Sequence, residues 1–169
     1  TEIVDKARLT LTDPQNQDAI DWMVEHFGIL DDLTTAAAKA EVSISYLETR
    51  AVRIAAKVIR KGVRLYEERG EIDFTDMIYL PAKLGLPLPQ YDVVLVDEAQ
   101  DLSAAQLSVV MGAAGYDAKS ERCRGRMIVV GDRAQAIQGF AGAANDSFDQ
   151  IVAKTAAQEL PLSVCYRCP

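Results

Sequence analysis

The sequence predicts an α/β protein in which a helical subdomain precedes part of a parallel β-sheet. Two short apolar runs, Val93–Val96 and Met127–Val130, are continuous rather than alternating. Such runs, rich in β-branched residues, are typical of parallel strands that helices cover on both faces. A helix-length segment, Ala104–Ala114, lies between them and predicts a right-handed β-α-β unit. Residues 1–90 carry helical signals instead.

Capping and stop signals predict the first helices. Asp13 directly before Pro14 predicts a helix start, because proline is favoured at the first helical position. Gly28 predicts the end of that helix after Phe27. The alanine-rich residues 31–41 predict a further helix.

A long helix is predicted between a capping-box pattern, Ser45-x-x-Glu48, and Gly70. Its apolar stripe predicts a buried face and consists of Ala51, Ala55, Ile59, Val63 and Tyr66. A second stripe at helical spacing, the basic ridge, consists of Arg53, Lys57, Arg60 and Arg64. The basic ridge fits either a solvated helix face or a surface that contacts the phosphates of nucleic acid.

The remaining segments complete the predicted order of elements. A short helix near Thr75–Leu84 precedes a proline-rich loop, which separates a helical subdomain, residues 1–90, from an α/β part, residues 91–169. After the β-α-β unit, residues 146–157 predict another helix, and Leu160–Leu162 predict the start of a strand.

The composition is that of a soluble globular protein, because the 169 residues are 49% hydrophobic and 25% charged. No apolar run approaches the length of a membrane span and no leader pattern opens the chain, so we expect a cytoplasmic protein without a membrane partner. The net charge of −7 argues against nucleic-acid binding through overall charge. Reduced thiols are expected at Cys123, Cys165 and Cys168, because the number of cysteines is small and odd and no secretory signal is present. Zinc at the Cys-x-x-Cys pair is not expected, because Cys123 and His26 are the remaining candidates for the two further ligands.

Both predicted strands end in acidic residues. Asp97 and Glu98 follow the first strand, and Gly131 and Asp132 follow the second. Ligands of an open α/β sheet bind beyond the carboxyl ends of its strands. Carboxylates there can hold Mg²⁺, a neighbouring carboxylate can take a proton from an attacking water, and Gly131 would let a ligand approach the backbone. The alternative is that these acids only cap loops, but two acidic strand ends together favour a site.

Four segments resemble, in order, motifs of the UvrD/Rep-type superfamily-one DNA helicases. Asp97–Asp101, DEAQD, resembles the family's D-E-x-Q-D box, and Val129–Ala143, VVGDRAQAIQGFAGA, resembles its third motif. Ile72–Ile78, IDFTDMI, resembles the D-F-x-D-L segment before the Walker B strand, and Leu160–Pro169, LPLSVCYRCP, resembles the fourth motif. The resemblance implies part of a RecA-like P-loop NTPase sheet, domain 1A, preceded by a 1B-like helical subdomain.

The resemblance also implies a role for each matching residue. Asp97 would hold Mg²⁺, Glu98 would activate the water that attacks the γ-phosphate of ATP, and Gln135 would sense that phosphate and couple hydrolysis to DNA. Arg167 would stabilise charge in the transition state, and Phe140 would stack on a base of single-stranded DNA. The other members of the implied nucleotide site are Gln100, Asp101, Gly131 and Asp132.

The chain departs from the family pattern at four motif positions and in the absence of a P-loop. Gln138 replaces the usual Tyr and Ala141 the usual Arg, so the resemblance does not imply the DNA contacts of those side chains. Cys165 and Cys168 replace Asn and Ser. No Gly-Lys pair of a Walker A P-loop occurs. We therefore expect an internal fragment, inactive alone, of a divergent bacterial, phage or plasmid-type helicase whose P-loop segment and second motor domain lie elsewhere in the parent protein.

Three functions are compatible with these observations. The first is part of an ATP-dependent DNA helicase or translocase that acts on single-stranded DNA and at duplex junctions with ATP and Mg²⁺. The second is a motor-derived module that binds DNA or protein without catalysis. The third is a metal-dependent nuclease that uses Asp97, Glu98, Asp101 and Asp132, which would leave Gln135 and Arg167 without a role.

Overall fold

A computed structural model describes residues 2–29, 42–135 and 147–162. Four helices come first in the described chain: α1 Glu2–Leu9, α2 Gln17–His26, α3 Ile44–Arg69 and α4 Asp76–Leu84. The second half contains β1 Val93–Val96, α5 Ala104–Ala113, β2 Tyr116–Asp117, β3 Arg122–Cys123, β4 Arg126–Val129 and α6 Ser147–Thr155. This mixture of helices with a small parallel sheet agrees with the predicted α/β class.

The first four helices enclose one cluster of buried side chains. Its members include Met23 from α2, Ile59 from α3 and Leu80 from α4. The predicted apolar stripe of the long helix is confirmed at its centre, because Ala55 and Ile59 are both buried. None of the described helices is long and apolar enough to cross a membrane.

Two helix starts differ from the sequence predictions by a few residues. The long helix is capped by Ser43, whose side chain accepts a hydrogen bond from the Tyr46 amide, and not by Ser45. Likewise Asn16, not Asp13, caps α2 and accepts from the Ala19 amide at 3.1 Å. The predicted ends are closer, because the long helix stops at Gly70 in a left-handed conformation with φ 68°.

An ion-pair cluster ties α1 to the start of α4. Arg8 Nη1 donates to both carboxylate oxygens of Asp73, at 2.8 and 2.7 Å, and to Asp76 Oδ1 at 3.0 Å. The Arg8 and Asp76 side chains are 9% and 7% exposed, whereas that of Asp73 is 55% exposed. The two aspartates of the IDFTDMI segment therefore anchor a buried arginine from the first helix.

The second cluster of buried side chains lies where α5 and α6 meet the sheet. Strands β1 and β4 pair in parallel, with Val93 opposite Arg126 and Val96 opposite Val129. The connecting helix α5 begins with a capping box between Ser103 and Gln106. A small antiparallel pair, β2 with β3, was not predicted from the sequence.

The prediction that both faces of the parallel strands are buried is wrong for the described structure. Val96 packs in the core, whereas Leu95 is 72% exposed and Ile128 and Val130 are each 50% exposed. The crossover helix covers one face of the two strands, and no described helix covers the other. Residues 157–162 form no helix or strand, so the strand predicted to start at Leu160–Leu162 is not found there.

Candidate functional site

The loop after β1 places two exposed carboxylates next to each other. Asp97 and Glu98 are both exposed, and Asp97 Oδ1 accepts a hydrogen bond from the Glu98 amide at 2.9 Å. Glu98 adopts a left-handed conformation with φ 51° and ψ 43°. This conformation costs a non-glycine residue on the order of 1–3 kcal/mol and persists where the surrounding structure enforces it.

Gln100 connects the two strand ends. It is 4% exposed, and its amide nitrogen donates to Glu98 Oε2 at 2.6 Å. Its amide oxygen accepts from the Asp132 backbone amide, which follows β4, at 3.0 Å. The same buried amide therefore holds the Glu98 carboxylate and fixes its position relative to the second acidic strand end.

Glycine at position 131 leaves room for this arrangement. A Cβ atom at Gly131 would lie 2.5 Å from Gln100 Oε1 and 3.2 Å from the Ala99 backbone nitrogen. The sequence predicts space for a ligand beside Gly131, but the Gln100 side chain already occupies the space on that side. The absence of a Cβ atom at Gly131 thus leaves space for the Gln100 side chain.

Asp132 and Gln135 extend the same chain of hydrogen bonds. Gln135 Nε2 donates to Asp132 Oδ2 at 2.7 Å, and the Ala134 amide donates to Asp132 Oδ1 at 2.9 Å. Both Asp132 and Gln135 are exposed. The series from Glu98 through Gln100 and Asp132 to Gln135, called the polar relay below, joins four of the residues that the sequence singles out.

Backbone contacts fix the base of the polar relay. The Val130 amide donates to the Val96 carbonyl at 2.8 Å, and the Ala99 amide donates to the Val130 carbonyl at 3.0 Å. Ser147, which is 1% exposed, donates its hydroxyl to the Ala99 carbonyl at 2.7 Å. Sequence reasoning missed Ser147, since nothing in its local pattern points to a contact with residue 99.

The donor set suits a magnesium ion that is shared with a phosphate ligand. Among the described residues, no three His, Cys, Asp or Glu side chains converge to form a protein-only metal site. Magnesium commonly takes one or two carboxylates and completes its shell with water and phosphate oxygens. The exposed Asp97 carboxylate fits that use. Asp101 is different, because its Oδ1 atom is buried and has no hydrogen-bond partner within the described parts of the chain.

The predicted nucleic-acid residues lie in two places. Arg53, Lys57, Arg60 and Arg64 are all exposed on α3, in the basic ridge. Phe140 and Arg167 lie outside the described residues, as do the four positions that depart from the helicase motifs: Gln138, Ala141, Cys165 and Cys168.

One comparison with known proteins identifies a relationship. A family model described as the UvrD/REP helicase N-terminal domain matches residues 4–156, which is most of the chain. The matched range contains the polar relay and the basic ridge. The chain matches no curated protein and no solved structure.

Proposed function

This chain belongs to the UvrD/REP helicase family, and on that premise we propose that it is part of a motor that couples ATP hydrolysis to movement on single-stranded DNA. The single observation that carries the proposal is the polar relay. A side chain at the end of one parallel strand, Glu98, is linked through Gln100 to the residues after the neighbouring strand. A hydrogen-bonded connection of this kind could transmit a change at the Glu98 carboxylate to the residues that follow the neighbouring strand.

In the proposed mechanism the protein positions and deprotonates the attacking water. Magnesium, when bound with ATP, neutralises charge on the phosphates. Asp97 would hold the ion with its exposed carboxylate. Gln100 restrains one oxygen of Glu98, which leaves the other oxygen to accept a proton from water. Gln135 would bind near the γ-phosphate and transmit its presence through Asp132.

We also propose that the motor is completed by segments beyond these 169 residues. The sequence contains no Gly-Lys pair, so the cradle for the β- and γ-phosphates would come from a P-loop elsewhere in the parent protein. Arg167 would contribute transition-state stabilisation from the fourth motif. Residues 1–90 would be the 1B-like helical subdomain and residues 91–169 the partial RecA-like domain.

DNA would contact the motor at two of the predicted places. Phe140 would stack on a base, and the basic ridge would bind phosphates. Among the described residues no ion pair involves Arg53, Lys57, Arg60 or Arg64, so their charges are available to a polyanion.

The test is ATP hydrolysis by the complete reading frame, with and without single-stranded DNA, beside a Glu98→Gln variant. We expect DNA-stimulated hydrolysis that falls by about 10²–10⁴-fold in the variant, which is the usual contribution of a general base. A Glu68→Gln variant is the matched control, because Glu68 is an exposed carboxylate near the end of α3.

The other outcomes separate the alternative functions. DNA binding without hydrolysis in either protein would contradict the motor and favour a motor-derived binding module. Magnesium-dependent DNA cleavage without ATP would favour a nuclease.

A further inference from the structure

A cleft between α3 and α4 lies outside the strand-end site. It has a volume of about 250 Å³, and its lining includes Arg60 and Arg64 from α3 and Lys83 and Tyr79 from α4, with Asp13 and Pro14 at one side. We propose that this cleft binds one nucleotide unit of a nucleic-acid strand, with a phosphate at the three cations, the base against the half-buried Pro14 and Val63, and a sugar or phosphate oxygen at the Tyr79 hydroxyl. The inference rests on the proposed function, because it takes nucleic acid as the ligand.

The charges at the cleft favour an anion. Arg60, Arg64 and Lys83 are all exposed, and none forms an ion pair with the described residues. Asp13 is the opposing carboxylate of the lining, and its Oδ1 already accepts the Gln15 amide at 3.0 Å. Because guanidinium groups match phosphate oxygens in a bidentate geometry, two arginines beside a lysine make a suitable phosphate contact.

The floor of the cleft is closed by two buried side chains, and the half-buried Pro14 and Val63 provide its apolar surface. Ile59 and Tyr79 are 4% and 2% exposed. Within the described chain no group hydrogen-bonds the Tyr79 hydroxyl, which is not one of the fully buried unpaired atoms and is therefore accessible to a ligand. Burial raises the pKa of Tyr79, which keeps the hydroxyl protonated and able to donate. A sugar or phosphate oxygen would satisfy it.

The size of the cleft favours one nucleotide unit over a whole cofactor. Pockets that enclose drug-sized ligands and cofactors usually measure about 300–1,000 Å³, whereas this cleft has about 250 Å³. The basic ridge continues away from the cleft toward the start of α3. Arg53 lies seven residues before Arg60, which is about 10 Å along a helix. A strand seated in the cleft could therefore also contact Arg53 and Lys57.

The matched variants remove two charges inside or outside the cleft. Arg60→Gln/Lys83→Gln changes the cleft, and Arg53→Gln/Lys57→Gln removes the same charge from the basic ridge beyond it. All four side chains are exposed, so both double variants are expected to fold. Thermal unfolding followed by circular dichroism checks this before binding is measured. Tyr79→Phe keeps the ring and removes the hydroxyl as a second, independent test of the cleft.

The assay is fluorescence anisotropy with the 169-residue chain and labelled oligothymidylate, either intact or carrying abasic sites, with thymidine monophosphate and inorganic phosphate as competitors. For the unmodified chain we expect tighter binding of intact than of abasic DNA, by about fivefold or more if a base stacks. The cleft variant should lose that preference. Tyr79→Phe should weaken both DNAs, because its hydroxyl contacts the sugar or phosphate, and Arg53→Gln/Lys57→Gln should weaken both equally while keeping the preference. Competition by the monophosphate but not by phosphate would support a nucleotide unit.

Equal losses in the two double variants, with no preference for intact DNA, would overturn the cleft and leave only a charged helix face. Competition by phosphate as strong as that by the nucleotide would also overturn it, since a bare anion site would then suffice. These measurements need no hydrolysis. The cleft can therefore fail while DNA-stimulated ATP hydrolysis stands, and hydrolysis can fail while the cleft stands.

Discussion

Removing the Arg8 side-chain charge should destabilise the fold by about 3 kcal/mol, the low end of the range for breaking a buried ion pair from one side. In Arg8→Met the apolar stem remains, but the Asp76 carboxylate, 7% exposed, loses its cationic partner. Asp73 adds little to this cost because its side chain is 55% exposed and water can solvate it. The Asp73 backbone amide, which donates to Asp76 Oδ2 at 3.1 Å, offsets part of the loss.

The assay is urea unfolding followed by circular dichroism, with a second ion pair as the control. Arg69 Nη1 lies 3.7 Å from Glu71 Oε1, but the two side chains are 64% and 59% exposed. Arg69→Met should therefore cost less than about 1 kcal/mol. In an Asp76→Asn background the cost of Arg8→Met should shrink, because no buried charge is then left unpaired. Equal costs for Arg8→Met and Arg69→Met would refute the argument that burial sets the energy.

Two further predictions concern the polar relay and acid pH. Gln100→Met keeps the side-chain volume but removes both hydrogen bonds. Because the Glu98 carboxylate then loses one of its bonds, we expect DNA-stimulated ATP hydrolysis by the complete protein to be about tenfold slower. An unchanged rate would show that hydrolysis does not depend on Gln100. Burial alone would raise the pKa of Asp73, but hydrogen bonds from Arg8 and from backbone amides outweigh it and lower that pKa below its usual 3.8. The stabilisation is therefore complete above that pH and is lost as the pH falls through the lower folded value, so Asp73→Asn should flatten the acid limb of stability measured below pH 3.8.

The position of β1 was predictable from its apolar run, and the end of the long helix was predictable from a glycine. The apolar run Val93–Val96 forms β1 with the predicted bounds, and the long helix ends at Gly70 because glycine adopts the left-handed region readily. The starts of α2 and of the long helix were not predicted correctly, because more than one nearby residue can act as the N-cap. Ser43 and Ser45 can both cap a helix, and local sequence does not decide which amide is left free.

Burial on both faces was mispredicted because a continuous apolar run records residue type and not the number of covering layers. Leu95 and Val96 are neighbours of similar hydrophobicity, yet one is 72% and the other 8% exposed. Successive strand residues point to opposite faces, and only one face of the described pair meets a helix. The sequence indicates that both faces of these strands are apolar enough to be buried. Whether a helix packs on each face depends on the tertiary structure.

The sequence singles out the residues at the two strand ends but not the hydrogen bonds between them. The strand-end acids follow from the motif order and the parallel pairing. The contact between Gln100 and Asp132 depends on strand register and on the missing Cβ of Gly131. The bond from Ser147 to the Ala99 carbonyl spans 48 residues and has no local signal.

Net charge is a poor guide to the proposed nucleic-acid binding because basic side chains cluster on one helix. The total is −7, yet the fifteen-residue stretch from position 50 to position 64 contains no acidic residue. Its six basic side chains are all exposed: Arg50, Arg53, Lys57, Arg60, Lys61 and Arg64. At physiological salt, charges more than about 8 Å apart are largely screened, so the strand proposed on α3 would interact with these cations and with nearby acids such as Asp13 and Glu67, and little with the rest of the chain. Release of condensed counterions would make the proposed binding salt-dependent. For each tenfold rise in salt, log K would fall by about 0.7 per phosphate contacted on a single strand. The slope of log K against log salt concentration would therefore give the number of phosphate contacts, which the net charge of the chain does not.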